Sequence, residues 1–214
     1  MLPPEHRAKA RVIWQSAPSL PHVPHPPGAE GFTFTMIGHL RPEKDPLTFM
    51  RAAQLVTHER ARFVHIGGAL DPHLGTSAEA TAAADPRYQW MGNLNHDATR
   101  MALACSDAMV IASLMEGGAN VIIEAVTSGV PVLASDIDGN RGMLGAHYGG
   151  YFPVGDAPAL AALMERIIAA QVDGVTTLNP GDPATVTVSV TDDTLHFTFA
   201  IPRGTDGAMG TAGT

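Results

Sequence analysis

Between residues 32 and 170, short apolar runs alternate with stretches of helical spacing, and this alternation restricts the fold more than any other feature of the chain. The runs at 32–38, 62–67, 88–92, 108–112 and 131–135 read as strands, and several end on glycine. The stretches 46–58, 96–105, 120–128 and 157–170 read as helices, the first with Leu47, Met50, Ala53 and Leu55 on one face and the last capped by Gly155 or Asp156. Strands alternating with helices predict βαβ units on a parallel sheet. Runs such as Met109-Val110-Ile111 lack polar alternation, which fits a sheet covered by helices on both faces.

The flanks differ in texture. Residues 1–31 read as an N-terminal linker segment, with a short strand at 11–14 and a Pro/His-rich extended stretch at 18–28. Past Gln171 the runs 185–191 and 195–201 alternate strictly, with Asp192-Asp193 between them, and predict a β-hairpin within 172–203. Gly204, Gly207, Gly210 and Gly213 then give residues 204–214 a collagen-like Gly-x-y register, which a flexible Gly-rich tail would also show. The boundary between the α/β part, 32–171, and this tail is expected near 171–178.

Composition removes several classes of function. The 214 residues carry a formal net charge of −8 and no run of Lys or Arg, which argues against nucleic acid as a partner. One cysteine, Cys105, excludes an internal disulfide and a Cys-based zinc site, and suits a cytoplasmic setting. No apolar stretch is long enough to span a membrane. The ten histidines include no i, i+4 pair, so no metal site is expected.

The chemistry concentrates in one segment, Ser113 to Ala125, which follows a strand and opens a helix. Gly117 and Gly118 allow a ligand close to the backbone. The amides of Gly118, Ala119, Asn120 and Val121 would then face it as free donors at the positive end of a helix, a ready anion site. Glu116 and Glu124, eight residues apart, flank that site. Two carboxylates there cannot serve a phosphate, but they suit hydroxyls, a sugar near Glu116 and a ribose diol near Glu124. The same spacing also fits a loop carboxylate and a solvated helix position.

Glu116-Gly117, Glu124-Ala125 and Gly129-Val130-Pro131-Val132 together resemble the donor-binding half of family-4 glycosyltransferases, whose pattern reads E-G-x6-E-A-x3-G-x-P-V. The resemblance extends upstream through residues 36–46, 88–92 and 106–110, and covers about 10–170. It implies one Rossmann-like half of a GT-B fold, making 32–171 a nucleotide-sugar-binding domain. It implies a UDP-sugar as small-molecule partner, no cofactor and no metal. Residue by residue, Lys44 matches the lysine on the donor diphosphate, and Glu116, the catalytic candidate, matches the residue on the donor-sugar hydroxyls. Gly117 falls in the same loop, Gly118 to Val121 match the amide cradle, and Glu124 matches the ribose-diol acceptor. His39 stands where the family has an arginine, so either Arg41 reaches the phosphate or His39 donates a weaker hydrogen bond. Asn140 and Arg141 could face the cleft, although their setting reads as a Gly-rich turn.

Residues 38–46, 116–121, 139–145 and 149–156 are similar, more narrowly, to the selenosugar synthases of selenoneine biosynthesis. That similarity implies UDP-N-acetylhexosamine and selenophosphate as substrates. Residues 172–214 weakly resemble segments ahead of collagen-like repeats in phage-tail-type proteins, which implies weak self-association. A GT-B enzyme has two such domains. The acceptor-binding N-terminal one is expected to lie outside this chain, which should bind donor but turn over little. Two rival readings are a non-catalytic nucleotide-sugar-binding module and a chimeric or structural protein with an oligomerising tail.

Overall fold

The computed structural model describes residues 31–178, 185–191 and 194–202, together with Lys9, Ala17, Pro18, Leu20 and Val23. The expected strand at 11–14, most of the linker and the Gly-x-y tail lie outside the described residues. The chain divides into two compact units, Met1–Met164 and Glu165–Thr214.

The first unit runs β1 (Phe32–Ile37), a 3₁₀ turn (Pro42–Lys44), α1 (Pro46–Leu55), β2 (Ala61–Ile66), α2 (Pro72–Ala84), β3 (Tyr88–Trp90), α3 (His96–Ala104), β4 (Ala108–Ile111), α4 (Asn120–Thr127), β5 (Val132–Ser135), α5 (Asp138–Leu144), β6 (Tyr151–Phe152) and most of α6 (Ala157–Ile168). The six strands form one sheet in the order β3-β2-β1-β4-β5-β6, and every pairing is parallel. This is the α/β architecture expected from the alternation. All four residues of β4 and all four of β5 are buried, which is why those runs are apolar without a break.

Two helices and the short strand β6 go beyond the sequence reading. Helix α2 was not foreseen. Its buried line, Leu74, Gly75, Ala78 and Thr81, is too weakly apolar to give a helical stripe. Its start is nevertheless well made, because Asp71 accepts hydrogen bonds from the amides of His73 and Leu74. The Gly-rich turn expected around Asn140 is instead helix α5, despite Gly139 and Gly142. Tertiary bonds hold it: Asn140, fully buried, donates from Nδ2 to the Ser135 carbonyl at 2.8 Å.

One half of the core packs Phe34, Phe49, Phe63 and Tyr88 between the sheet and α1. Within it lies His65, fully buried, whose Nδ1 meets the Tyr88 hydroxyl at 2.9 Å and whose Nε2 meets the Gly38 carbonyl at 3.3 Å. Nε2 therefore carries the proton and donates it, and Nδ1 accepts from Tyr88. Burial lowers the His65 pKa to about 4, against a partial opposing pull from the Gly38 bond. The unfolded imidazole binds a proton near pH 6.5 and the folded one only near 4. Stability is therefore full above about pH 6.5, falls by up to about 3 kcal/mol as pH drops to 4, and levels off below that. Urea denaturation across this range checks the slope, and His65→Leu should remove this part of it.

In the second unit, β8 (Thr185–Thr191) and β9 (Thr194–Pro202) pair antiparallel, as the alternation predicts. The sequence reading lacked a third strand, β7 (Ala170–Leu178), which pairs parallel to β9 with a register shift between Val172 and Gly174.

Candidate functional site

The strand order reverses between β1 and β4, so the chain leaves these neighbouring strands in opposite directions and opens a crevice at their C-terminal ends. Two loops border it, residues 38–45 after β1 and 112–119 after β4. The Leu114 amide donates to the Glu43 carbonyl at 2.8 Å and ties the loops together.

The first loop tightens into its 3₁₀ turn and then passes through Asp45, whose φ of 43° is left-handed. Aspartate tolerates this region better than most residues. The Asp45 carboxylate also accepts from the Thr48 hydroxyl at 2.6 Å, which fixes the start of α1. Lys44 is thereby held with its stem over Gly38, Cγ and Cδ lying 3.6 Å from where a Cβ would stand. Its Nζ donates to Glu116 Oε1 from the second loop. The pair is largely sheltered, with side chains 16% and 11% exposed. Ser113, fully buried, donates to the same oxygen at 2.6 Å. Glu116 Oε2 has no partner among the described residues.

Arg41, Glu43, Met115, Glu116 and Gly117 line a cavity of about 490 Å³. Arg41 is half-exposed, 4.0 Å from Glu43. A smaller hollow of about 190 Å³ is lined by Gly38, His39, Gly67, Asn93 and Thr99 among others. His39 is turned towards this second hollow, its Nδ1 accepting from the Gly68 amide at 3.1 Å, which leaves Nε2 as a donor. The backbone is tight here. A Cβ on Gly67, whose φ is +148°, would stand 2.1 Å from the Gly38 oxygen.

Gly117 and Gly118 lead into α4, which begins at Asn120 without any side-chain cap. The Asn120 and Val121 amides are therefore uncapped among the described residues, whereas the Ala119 amide donates to Met143 Sδ at 3.2 Å. Glu124 is half-buried one turn into α4 and lines neither hollow.

The structure thus brings Lys44 to Glu116, and Arg41, Glu116 and Gly117 around one cavity, and sets His39 and Glu124 apart. Arg141 is not free in the cleft. It is bound to Asp136, with a 2.7 Å bond from its guanidinium, and lies 5.5 Å over the Tyr151 ring. Its guanidinium holds the Asp136 carboxyl below the usual range. The sequence reading gave no role to Ser113, Ser135 or Met143. Among the described residues no group of three or more His, Cys, Asp or Glu could hold a metal ion, and no helix is long and apolar enough to cross a membrane.

The fold is that of a Rossmann-like, GT-B-type α/β domain. Residues 31–170 match the family described as "Glycosyl transferases group 1", and the chain belongs to that family. A UDP-Gal:alpha-D-GlcNAc-diphosphoundecaprenol alpha-1,3-galactosyltransferase of Escherichia coli is 33% identical over 125 residues, which are 56% of this chain and 32% of that protein. The chain therefore spans about a third of the curated relative it matches. Among solved structures, the apo form of the lipopolysaccharide outer core galactosyltransferase WaaB superposes with a TM-score of 0.58 at 18% identity, covering 71% of this chain and 45% of that one. HepE of Anabaena, in complex with UDP-glucose, gives 0.57 at 22% identity over 64% and 39%. The catalytic domain of cholesterol-alpha-glucosyltransferase from Helicobacter pylori gives 0.54 at 16%, over 64% and 86%. These likenesses carry the fold.

Proposed function

We propose that residues 31–170 bind the UDP-sugar donor of a glycosyl-transfer reaction. The observation that carries the reading is the meeting of Lys44 and Glu116 at the β1/β4 crevice, beside the uncapped start of α4. A lysine there can leave its carboxylate for a diphosphate, which also gains the Asn120 and Val121 amides and the helix dipole. When the acceptor attacks the anomeric carbon, the bond to the diphosphate breaks and charge builds on the departing oxygen. Lys44 and the α4 amides would meet that charge without reorganising and without a metal ion. Glu116 would take donor-sugar hydroxyls and Glu124 the ribose diol, with Arg41 or His39 as a second donor to phosphate. The relatives named for UDP-galactose and UDP-glucose support a UDP-sugar.

The narrower reading has UDP-N-acetylhexosamine as donor and selenophosphate as acceptor. Residues 38–46, 116–121 and 139–145 support it through their likeness to selenosugar synthases. A cytoplasmic setting goes with the reading, supported by the single cysteine.

Calorimetric titration of UDP-N-acetylglucosamine, UDP-glucose and UDP-galactose tests the proposal. We expect one to bind most tightly, and Glu124→Ala to weaken all three by about tenfold by removing a charged acceptor from the ribose. Strongest binding of UDP-N-acetylglucosamine would support the narrower reading. Strongest binding of UDP-galactose would overturn it and keep the broader one. Equal affinity of wild type and Glu124→Ala would remove Glu124 from the site.

A further inference from the structure

Glu116 is fixed from behind as well as from the crevice. Ser113, Ser135 and Asn140 are all fully buried. Asn140 Nδ2 reaches the Ser135 hydroxyl at 3.2 Å, and that hydroxyl donates to the Ser113 carbonyl at 2.6 Å. The Ser113 hydroxyl then donates to Glu116 Oε1 at 2.6 Å. This line of bonds crosses from α5 through the end of β5 to the loop after β4. Gly139, at the start of α5, lies against the Glu116 carbonyl so closely that a Cβ would stand 2.1 Å from its oxygen.

We propose that Ser113 is a positioning residue for donor-sugar recognition. It locks Glu116 Oε1 and leaves Oε2 for a sugar hydroxyl, and Ser135 and Asn140 hold Ser113 in place. The inference rests on the donor-site reading above. Lys44 and Ser113 share Oε1, but their freedom differs. Lys44 sits on a flexible stem and can turn to a diphosphate. Ser113 is buried, has a single O–H to give, and has its backbone carbonyl tied to Ser135. A buried hydroxyl that lost its acceptor would pay the desolvation cost of an unmade bond. Ser113 therefore keeps Glu116 oriented when Lys44 leaves it. The consequence is selective: the sugar, and not the nucleotide, should feel the loss of Ser113.

The test is titration of UDP, and of the tightest-binding of the three UDP-sugars, into wild type, Ser113→Ala, Ser113→Thr, Glu116→Ala and the Ser113→Ala/Glu116→Ala double variant. We expect Ser113→Ala to weaken the UDP-sugar by about tenfold and UDP by less than about twofold. Threonine, which keeps the hydroxyl, should restore most of the loss. The double variant should bind no more weakly than Glu116→Ala alone. Equal weakening of UDP and UDP-sugar would show a merely structural serine and overturn the inference, as would additive losses in the double variant. Failure of wild type to bind UDP at all would instead overturn the donor-site reading beneath it.

Discussion

Lys44→Met is expected to weaken UDP binding by about thirtyfold, the loss of a charge-assisted contact to a diphosphate. Methionine keeps the length and apolar stem over Gly38 and removes only the ammonium. The fold should feel the change as well. Lys44 and Glu116 are an ion pair with side chains only 16% and 11% exposed, so the variant leaves a sheltered carboxylate with Ser113 as its remaining partner. Folding stability should fall, by about 1–2 kcal/mol. Arg41→Met should behave differently. Arg41 is half-exposed and sits 4.0 Å from Glu43, a geometry that contributes little. A loss of UDP affinity there larger than that of Lys44→Met would make Arg41, rather than Lys44, the principal cation.

Gly139→Ala should be the more damaging of the two glycine-to-alanine changes possible in α5. Its Cβ would stand 2.1 Å from the Glu116 carbonyl oxygen and 2.8 Å from the carbonyl carbon, backbone that cannot turn aside as a side chain could. Either α5 or the Glu116 loop must move. We expect a loss of about 2–4 kcal/mol in stability, with UDP-sugar binding falling at least about tenfold in whatever fraction remains folded. The control lies in the same helix. Gly142 has nothing within 4 Å of its Cβ position, and alanine is the better helix former, so Gly142→Ala should leave the fold as stable or slightly more so. Urea denaturation of the two variants side by side checks the contrast.

Strands β4 and β5 were the most legible because they are buried on both faces. Residues of β4 and β5 must be apolar without interruption, and the sequence shows it. Helix α2 was hidden because, Leu74 apart, its inward face is made of Gly75, Ala78 and Thr81, which carry little hydrophobic signal. Helix α5 was hidden for a different reason. Two glycines lower its intrinsic propensity, and what holds it, the bond from Asn140 to Ser135 and the close seat of Gly139 on Glu116, is tertiary. Strand β7 was hidden because it is paired in parallel with a strand more than 20 residues further on, a partner that no local pattern announces.

The site divides in the same way. Lys44 and Glu116 could each be picked out from their loops, but their contact depends on β1 lying beside β4, which is a property of the sheet order. Arg141 was left between a cleft residue and part of a Gly-rich turn because its local surroundings give no hint that α5 turns it onto Asp136. His65 looked like one of ten scattered histidines; its bonds to Tyr88 and Gly38 set its tautomer, and burial in the packed core sets its low pKa. Ser113 stands three residues before a glutamate, a spacing too common to mean anything until the hydrogen bond is seen.

In the proposed function, this chain holds the nucleotide part of a sugar donor between Lys44 and the start of α4. Calorimetric titration of UDP into the purified, folded chain tests it most directly. Saturable one-to-one binding in the micromolar-to-millimolar range is expected, lost or strongly weakened in Lys44→Met. A folded chain that takes up no UDP at millimolar concentration, or one whose Lys44→Met variant binds UDP as tightly as wild type, would contradict it.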